Sequence, residues 1–109
     1  MDIVPFEEFK KIEIKIGKIL SAEKIEGSDK LLKLQVDFGP SAEKRQIIAG
    51  IGKRYEPESI IGKECPFMFN LEPKEILGLQ SQGMILCADD NGPVLLHPDK
   101  EIAPGSKIK

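Results

Sequence analysis

Apolar and polar residues alternate along much of the chain with a period of two, which predicts short strands with one buried face. Ile12, Ile14 and Ile16 alternate with Glu13 and Lys15. Gly17 then interrupts the run before Ile19 and Leu20, as in a bent or bulged strand that serves two halves of a sheet. A second strand places Leu32, Leu34, Val36 and Phe38 inward and Lys33, Gln35 and Asp37 outward. Arg45 to Ile51, Cys65 to Phe69 and Met84 to Ala88 read as the third, fourth and fifth strands. Turns fall at Glu26 to Lys30 and Gly39 to Ser41, where Gly, Pro, Ser and Asp collect. Two pieces read as single helical turns led by proline, Pro5 to Lys10 and Glu56 to Gly62, the second stopped by its glycine. The first is too short to stand alone, so Phe6 and Phe9 are expected to pack on something.

The connection from Asn70 to Met84 is longer than a compact domain usually needs, and such loops are more often functional than idle. It carries amide, hydroxyl and lysine groups, with Gly78 and Gly83 allowing close backbone approach. Its plainest local reading is a helical turn from Pro73 to Leu77 with a stop at Gly78. Past Ala88 the chain continues through Val94-Leu95-Leu96, Ile102 and Ile108, apolar positions that must be covered by the same barrel or by a second copy.

Five short strands, a bent first strand and one helix between the third and fourth are the order of an OB-fold, a small all-β Greek-key barrel. The expected organisation is one domain over residues 1–109, with the barrel at about 10–88 and a C-terminal extension at 89–109. In this architecture oligonucleotides and oligosaccharides bind the face of strands two and three and the adjoining loops. Here those loops are Glu26 to Lys30 and Asn70 to Gly83.

Composition narrows the chemistry. With 40% hydrophobic and 31% charged residues, the chain is ordinary for a globular domain. A net charge of −2 argues against a protein that coats nucleic acid nonspecifically, since such affinity comes mainly from neutralising phosphates. Any nucleic-acid site must be local. Aromatic residues at 6%, with no tryptophan, exclude an extensive base-stacking surface. Cys65 and Cys87 each lie beside or within an apolar run and read as buried thiols. The lone His97 has no neighbouring ligand for zinc, so no metal or other cofactor is expected. No stretch nears the roughly 18 apolar residues of a membrane span, and the N-terminus lacks an apolar signal region. A cytoplasmic setting without membrane contact is the expectation.

Several pieces in order resemble one family: Phe9 through Gly17-Lys18-Ile19, Asp29-Lys30-Leu31, Arg45-Gln46-Ile47, Gly50-Ile51, Pro57 through Gly62-Lys63, Asn70-Leu71 with Pro73, and Gly78 through Ser81-Gln82-Gly83-Met84-Ile85. Together they resemble the tRNA-binding domain at the C-terminus of many methionyl-tRNA synthetases, which also occurs as a beta subunit of that enzyme, in free-standing structure-specific tRNA-binding proteins and in endothelial-monocyte-activating polypeptide II. The resemblance implies binding to the outer corner of folded tRNA by shape and backbone contacts. Lys30, Lys33, Arg45 and Lys74 would then meet phosphates, which position an RNA without reading its sequence. Asn70, Ser81 and Gln82 would bond ribose hydroxyls, phosphates or base edges, and Met84 would offer a soft apolar surface to an unstacked base. Neither Asn70 nor Ser81 is expected to fill the core.

Neither a His-Ile-Gly-His run nor a Lys-Met-Ser-Lys-Ser run occurs, so the chain is expected to be a non-catalytic module that lends tRNA affinity to a synthetase catalytic chain. The resemblance also implies a homodimer, whose two small sites make a broader platform for one large RNA. A related branch resembles export chaperones that hold unfolded peptides, and this is the alternative from a different functional class.

Overall fold

In the computed structural model, which describes residues 1–109, the alternation from Leu32 to Asp37 becomes a strand buried at every second residue. In chain order the elements are α1 (Phe6–Phe9), β1 (Ile14–Lys24), β2 (Leu32–Asp37), β3 (Arg45–Ala49), α2 (Pro57–Ile60), β4 (Glu64–Met68), β5 (Lys74–Ile76), β6 (Leu79–Ser81), β7 (Met84–Ile85), β8 (Cys87–Asp89), β9 (Pro93–Leu95) and β10 (Lys107–Ile108). The main sheet runs β3-β2-β1-β4-β7, with β10 also pairing with β1. Every pairing is antiparallel. The sheet curls into a nearly closed barrel of the OB type.

β1 is the hinge of the barrel. Its first half pairs with β4 and its second half with β2, Lys18 belonging to both ladders. The register slips between Ile19 and Ser21, so the extra residue is Leu20, not Gly17. A bulge there increases twist and lets one strand turn from one half of the barrel to the other. Gly17 serves packing instead: a methyl group at its Cα would lie 2.5 Å from Val36 Cγ1 and 2.7 Å from Phe38 Cε1.

The inward set fills the barrel. Ile19, Leu34, Val36, Ile47 and Phe67 are wholly buried. Phe38 meets Phe67 and Phe69 edge to face, with ring centroids 5.5 and 5.0 Å away, the geometry that aromatic quadrupoles favour.

Several expectations need correction. Ile12 precedes the strand and is exposed, because the ladder with β4 begins only at Ile14. Phe6 and Phe9 pack on each other, ring centroids 6.4 Å apart, and otherwise face solvent. The expected fifth strand is divided: Met84–Ile85 continues the barrel, whereas Cys87–Asp89 leaves it to form a hairpin with Pro93–Leu95. The helical turn expected from Pro73 to Leu77 is also a hairpin, β5 with β6. Its two-residue turn places Leu77 at φ 50° and Gly78 at φ 77°. Positive φ at both central residues matches the right-handed twist of a tight hairpin, and glycine supplies the second at little cost.

The C-terminal extension folds onto its own barrel. Leu95 is buried, and its amide donates to the Tyr55 hydroxyl at 3.1 Å. The Ile102 amide donates to Glu64 Oε1 at 3.0 Å, Gly105 N to the Ile16 carbonyl at 2.7 Å, and Ile16 N to the Ser106 carbonyl at 2.8 Å. Of the apolar run Val94-Leu95-Leu96, the barrel therefore covers Leu95 fully and Val94 in part, while Leu96 remains exposed. Among the apolar side chains that remain exposed are Ile3, Val4, Phe6, Phe9 and Ile12 near the N-terminus, and Ile108.

Candidate nucleic-acid interface

The stretch from Asn70 to Met84 closes the barrel between β3 and β7. Gln82 N donates to the Gln46 carbonyl at 2.8 Å, and Gln46 N reaches Gln82 Oε1 at 3.3 Å. One step along, Ile48 N donates to Ser81 Oγ at 3.0 Å, and that hydroxyl donates in turn to the Gly83 carbonyl at 3.2 Å. Ser81 is 4% exposed, so its hydroxyl replaces a missing ladder bond at a place water does not reach. Contrary to expectation, Ser81 belongs to the interior.

Arg45 is also tied inward. Its guanidinium lies 3.6 Å from the centre of the Phe69 ring and donates to the carbonyls of Phe69 and, at 3.3 Å, Gln82. Lys15 Nζ approaches the same ring at 4.0 Å, so Phe69 contacts two cations. Asn70 works as a clamp: Glu13 N donates to its Oδ1 at 2.8 Å, and its Nδ2 donates to the Lys11 carbonyl at 2.7 Å. These bonds pin the segment between α1 and β1 to the end of β4. Asn70→Ala is expected to lower stability by about 1 kcal/mol, the usual net value of such bonds. Hydrogen exchange at the Glu13 amide checks it, since protection there should fall before that of the β2 amides.

The remaining expected contacts differ in how free they are. Lys33 pairs with Glu23 across the β1–β2 ladder at 2.8 Å. Lys74 and Met84 are exposed, on β5 and β7. Lys30 follows a turn held by Ser28, whose Oγ accepts from the amides of Lys30 and Leu31 at 3.2 and 3.1 Å. Gly52 N closes the other side of this turn by donating to the Lys30 carbonyl at 2.7 Å. The Lys30 side chain therefore extends over Gly50.

That placement brings in two cations the sequence reading missed, Lys53 and Arg54. With Lys30 they line an open cleft of about 600 Å³ between the segment after β3 and the β8–β9 turn. The pair stands plainly in the sequence. What the sequence does not reveal is the hairpin that forms the opposite wall, because Cys87 and Ala88 read as the end of the fifth barrel strand. Next to this cleft, Ile48, Ala49, Ile51, Met84 and Leu86 shape an apolar hollow of about 330 Å³. Lys30 and Met84, distant in sequence, thus line adjoining cavities that share Gly50.

Cys87 lines the hollow, and Cys65 is buried in the core. Burial pushes Cys65 up to about 11, with Cys87 adding to the rise and Lys63 opposing it, and burial raises Cys87 as well. Both are poor nucleophiles in this state, since the thiolate is the reactive form. His97 Nδ1 lies 2.9 Å from the Glu64 carbonyl, an acceptor only, so this nitrogen carries the proton and holds the tail to β4. No helix is long and apolar enough to cross a membrane.

Comparison with known proteins places this geometry in a family. Two similar curated proteins are the methionine–tRNA ligases of Methanothrix thermoacetophila, 51% identical over 108 residues, and Caldanaerobacter subterraneus subsp. tengcongensis, 47% identical over 109. These alignments cover 98% and 99% of the chain but only 16% and 17% of the ligases. Among solved structures, a MetRS related protein from Pyrococcus horikoshii superimposes with a TM-score of 0.91 at 39% identity, covering 100% of both chains. The chaperone CsaA of Bacillus anthracis gives 0.89 at 32% identity, covering 99% of this chain and 100% of its own. Residues 14–107 match the sequence model of the tRNA binding domain family, and the chain belongs to that family.

Proposed function

We propose that the chain binds folded tRNA by shape and phosphate contacts, and lends that affinity to methionyl-tRNA synthetase as its C-terminal domain or beta subunit in the cytoplasm. It performs no chemistry itself; the catalytic chain does. The observation that carries the reading is the family match over residues 14–107, nearly the whole chain. Lys30, Lys33 and Lys74 meet phosphates and Met84 meets a base, while Arg45, Asn70, Ser81 and Gln82 hold the loop in place. Phosphate contacts of this kind position an RNA without reading it, which suits a module that accepts more than one tRNA.

Titration against folded tRNA, the same RNA unfolded, and a random duplex of equal length tests the proposal. Folded tRNA should bind tightest, and the slope of log affinity against log salt should be shallow, about −0.9 or less per contact. Lys30→Ala should flatten it by about one contact. Equal affinity for tRNA and duplex overturns the reading. Likeness to the chaperone CsaA, together with the apolar hollow, favours a second reading in which the ligand is an unfolded polypeptide. An unfolded polypeptide that outcompetes tRNA in the same titration would establish it.

The working unit in this proposal is a homodimer. Ile3, Val4, Phe6, Phe9 and Ile12, with Ile108, leave the N-terminal end of the molecule apolar and exposed, and a second copy would cover it about a two-fold axis. Light scattering at micromolar concentration should give the mass of two chains, and Phe6→Glu should reduce it to one. A wild-type mass near one chain refutes the dimer.

A further inference from the structure

The basic cleft and the apolar hollow adjoin. Gly50 and Pro93 line both. The two halves differ sharply in chemistry. Five side chains around the hollow, Ile48, Ala49, Ile51, Met84 and Leu86, are purely apolar. The cleft presents Lys30, Lys53 and Arg54. Lys30 has no ion-pair partner, and Lys53 has only Asp29, at 3.8 Å between two well-exposed side chains, a pairing worth little in water. Arg54 donates to the carbonyls of Asp90, Gly92 and Pro93 at 3.1 to 3.4 Å, so the hairpin fixes its place without neutralising its charge. Asp89 stands nearby, and its carboxylate accepts from Gly92 N at 3.2 Å within the hairpin.

We propose that the two together grip one unstacked nucleotide of the bound RNA, with its base in the hollow against Met84 and its phosphate in the cleft among Lys30, Lys53 and Arg54. The inference rests on the tRNA reading above and adds where the RNA is held and by what part. A nucleotide joins a flat, weakly polar ring to an anion within a few bond lengths, and the two half-sites meet at Gly50 in the same way. An apolar peptide would fill the hollow yet leave the cations unneutralised. Apart from the Cys87 thiol, a weak hydrogen-bonding group, the hollow offers no polar side chain to read a base edge, and being open it leaves that edge in water, so the grip tolerates any base.

The test uses adenosine 5′-monophosphate, adenosine and inorganic phosphate at millimolar concentration, each titrated into the isotope-labelled full chain and followed through backbone amide signals. The monophosphate should shift amides from Gly50 to Arg54 together with those from Met84 to Cys87. Phosphate alone should shift Lys53 and Arg54 and leave Met84 to Cys87 unmoved, and adenosine alone the reverse, with Gly50 and Ile51, which line the hollow, free to respond to either. Lys53→Glu and Gly50→Val should each abolish the joint response and weaken tRNA affinity about tenfold, without lowering the melting temperature. The nearest neighbours of an alanine Cβ at Gly50 would be the Lys30 and Leu31 side chains, at 3.1 to 4.0 Å, so a side chain can be added there at the expense of a flexible lysine. Nucleotide shifts confined to one half-site, or absent, overturn the inference even if tRNA binds. An intact joint response in a protein that ignores tRNA sinks the tRNA reading and leaves the nucleotide site standing.

Discussion

Alanine at position 17 is expected to lower stability by about 3 kcal/mol, the upper end of the usual range for overpacking a core. The added methyl would sit 2.5 Å from Val36 Cγ1, 2.7 Å from Phe38 Cε1 and 3.0 Å from Phe67 Cδ1. None of these side chains can yield easily, because each is buried and the phenylalanines are locked edge to face. Relief would have to come from β1 itself, yet Gly17 pairs with Cys65 in the ladder that joins the two halves of the barrel. Domains of this size have only about 5–15 kcal/mol in total, so the melting temperature should fall by more than about 10 °C. Gly27→Ala provides the contrast. Its φ of 91° strains an alanine, but no atom lies within 4 Å of the new methyl, and the loss should be smaller. Denaturant melts of the two variants decide the matter: equal midpoints would show that the closeness at Gly17 does not matter.

The same glycine marks how far the sequence could be read. Its position in an apolar run suggested a bent strand, and β1 does serve both halves of the barrel, but the irregularity falls at Leu20. Pattern reveals that a strand must bend and not where the extra residue goes, since the bulge follows from fitting β1 to two ladders at once. β2 was legible because one face is buried and the other wet, so its period is clean. The β5–β6 hairpin was not, since its residues are mostly exposed and carry no burial pattern, and its turn depends on Leu77 accepting a positive φ. Side-chain type likewise foretold chemistry better than direction. Arg45 and Lys30 look alike in sequence, yet the Phe69 ring and two carbonyls turn Arg45 inward while Ser28 and Gly52 present Lys30 to the cleft.

Ser81→Ala is expected to destabilise the barrel by about 2 kcal/mol and to affect RNA binding only through that loss. The substitution takes the acceptor from Ile48 N and leaves it buried on the inner edge of β3, where an unpaired amide costs about 1–3 kcal/mol. The Gly83 carbonyl loses its donor as well. Water cannot readily replace the hydroxyl, because Ser81 is almost wholly buried. Ser81→Thr keeps the hydroxyl and separates loss of the bond from change of the residue. Alanine at 81 should therefore melt early, yet keep its salt slope against folded tRNA when measured well below its melting temperature, since no phosphate contact has gone. Lys74→Ala, on the same hairpin directly across from Ser81 in the β5–β6 ladder, should do the reverse: an unchanged melt and a slope flattened by about one contact. A Ser81→Ala protein that melts like wild type but loses RNA would mean that the hydroxyl reaches RNA, which requires β6 to lift away from β3 on binding.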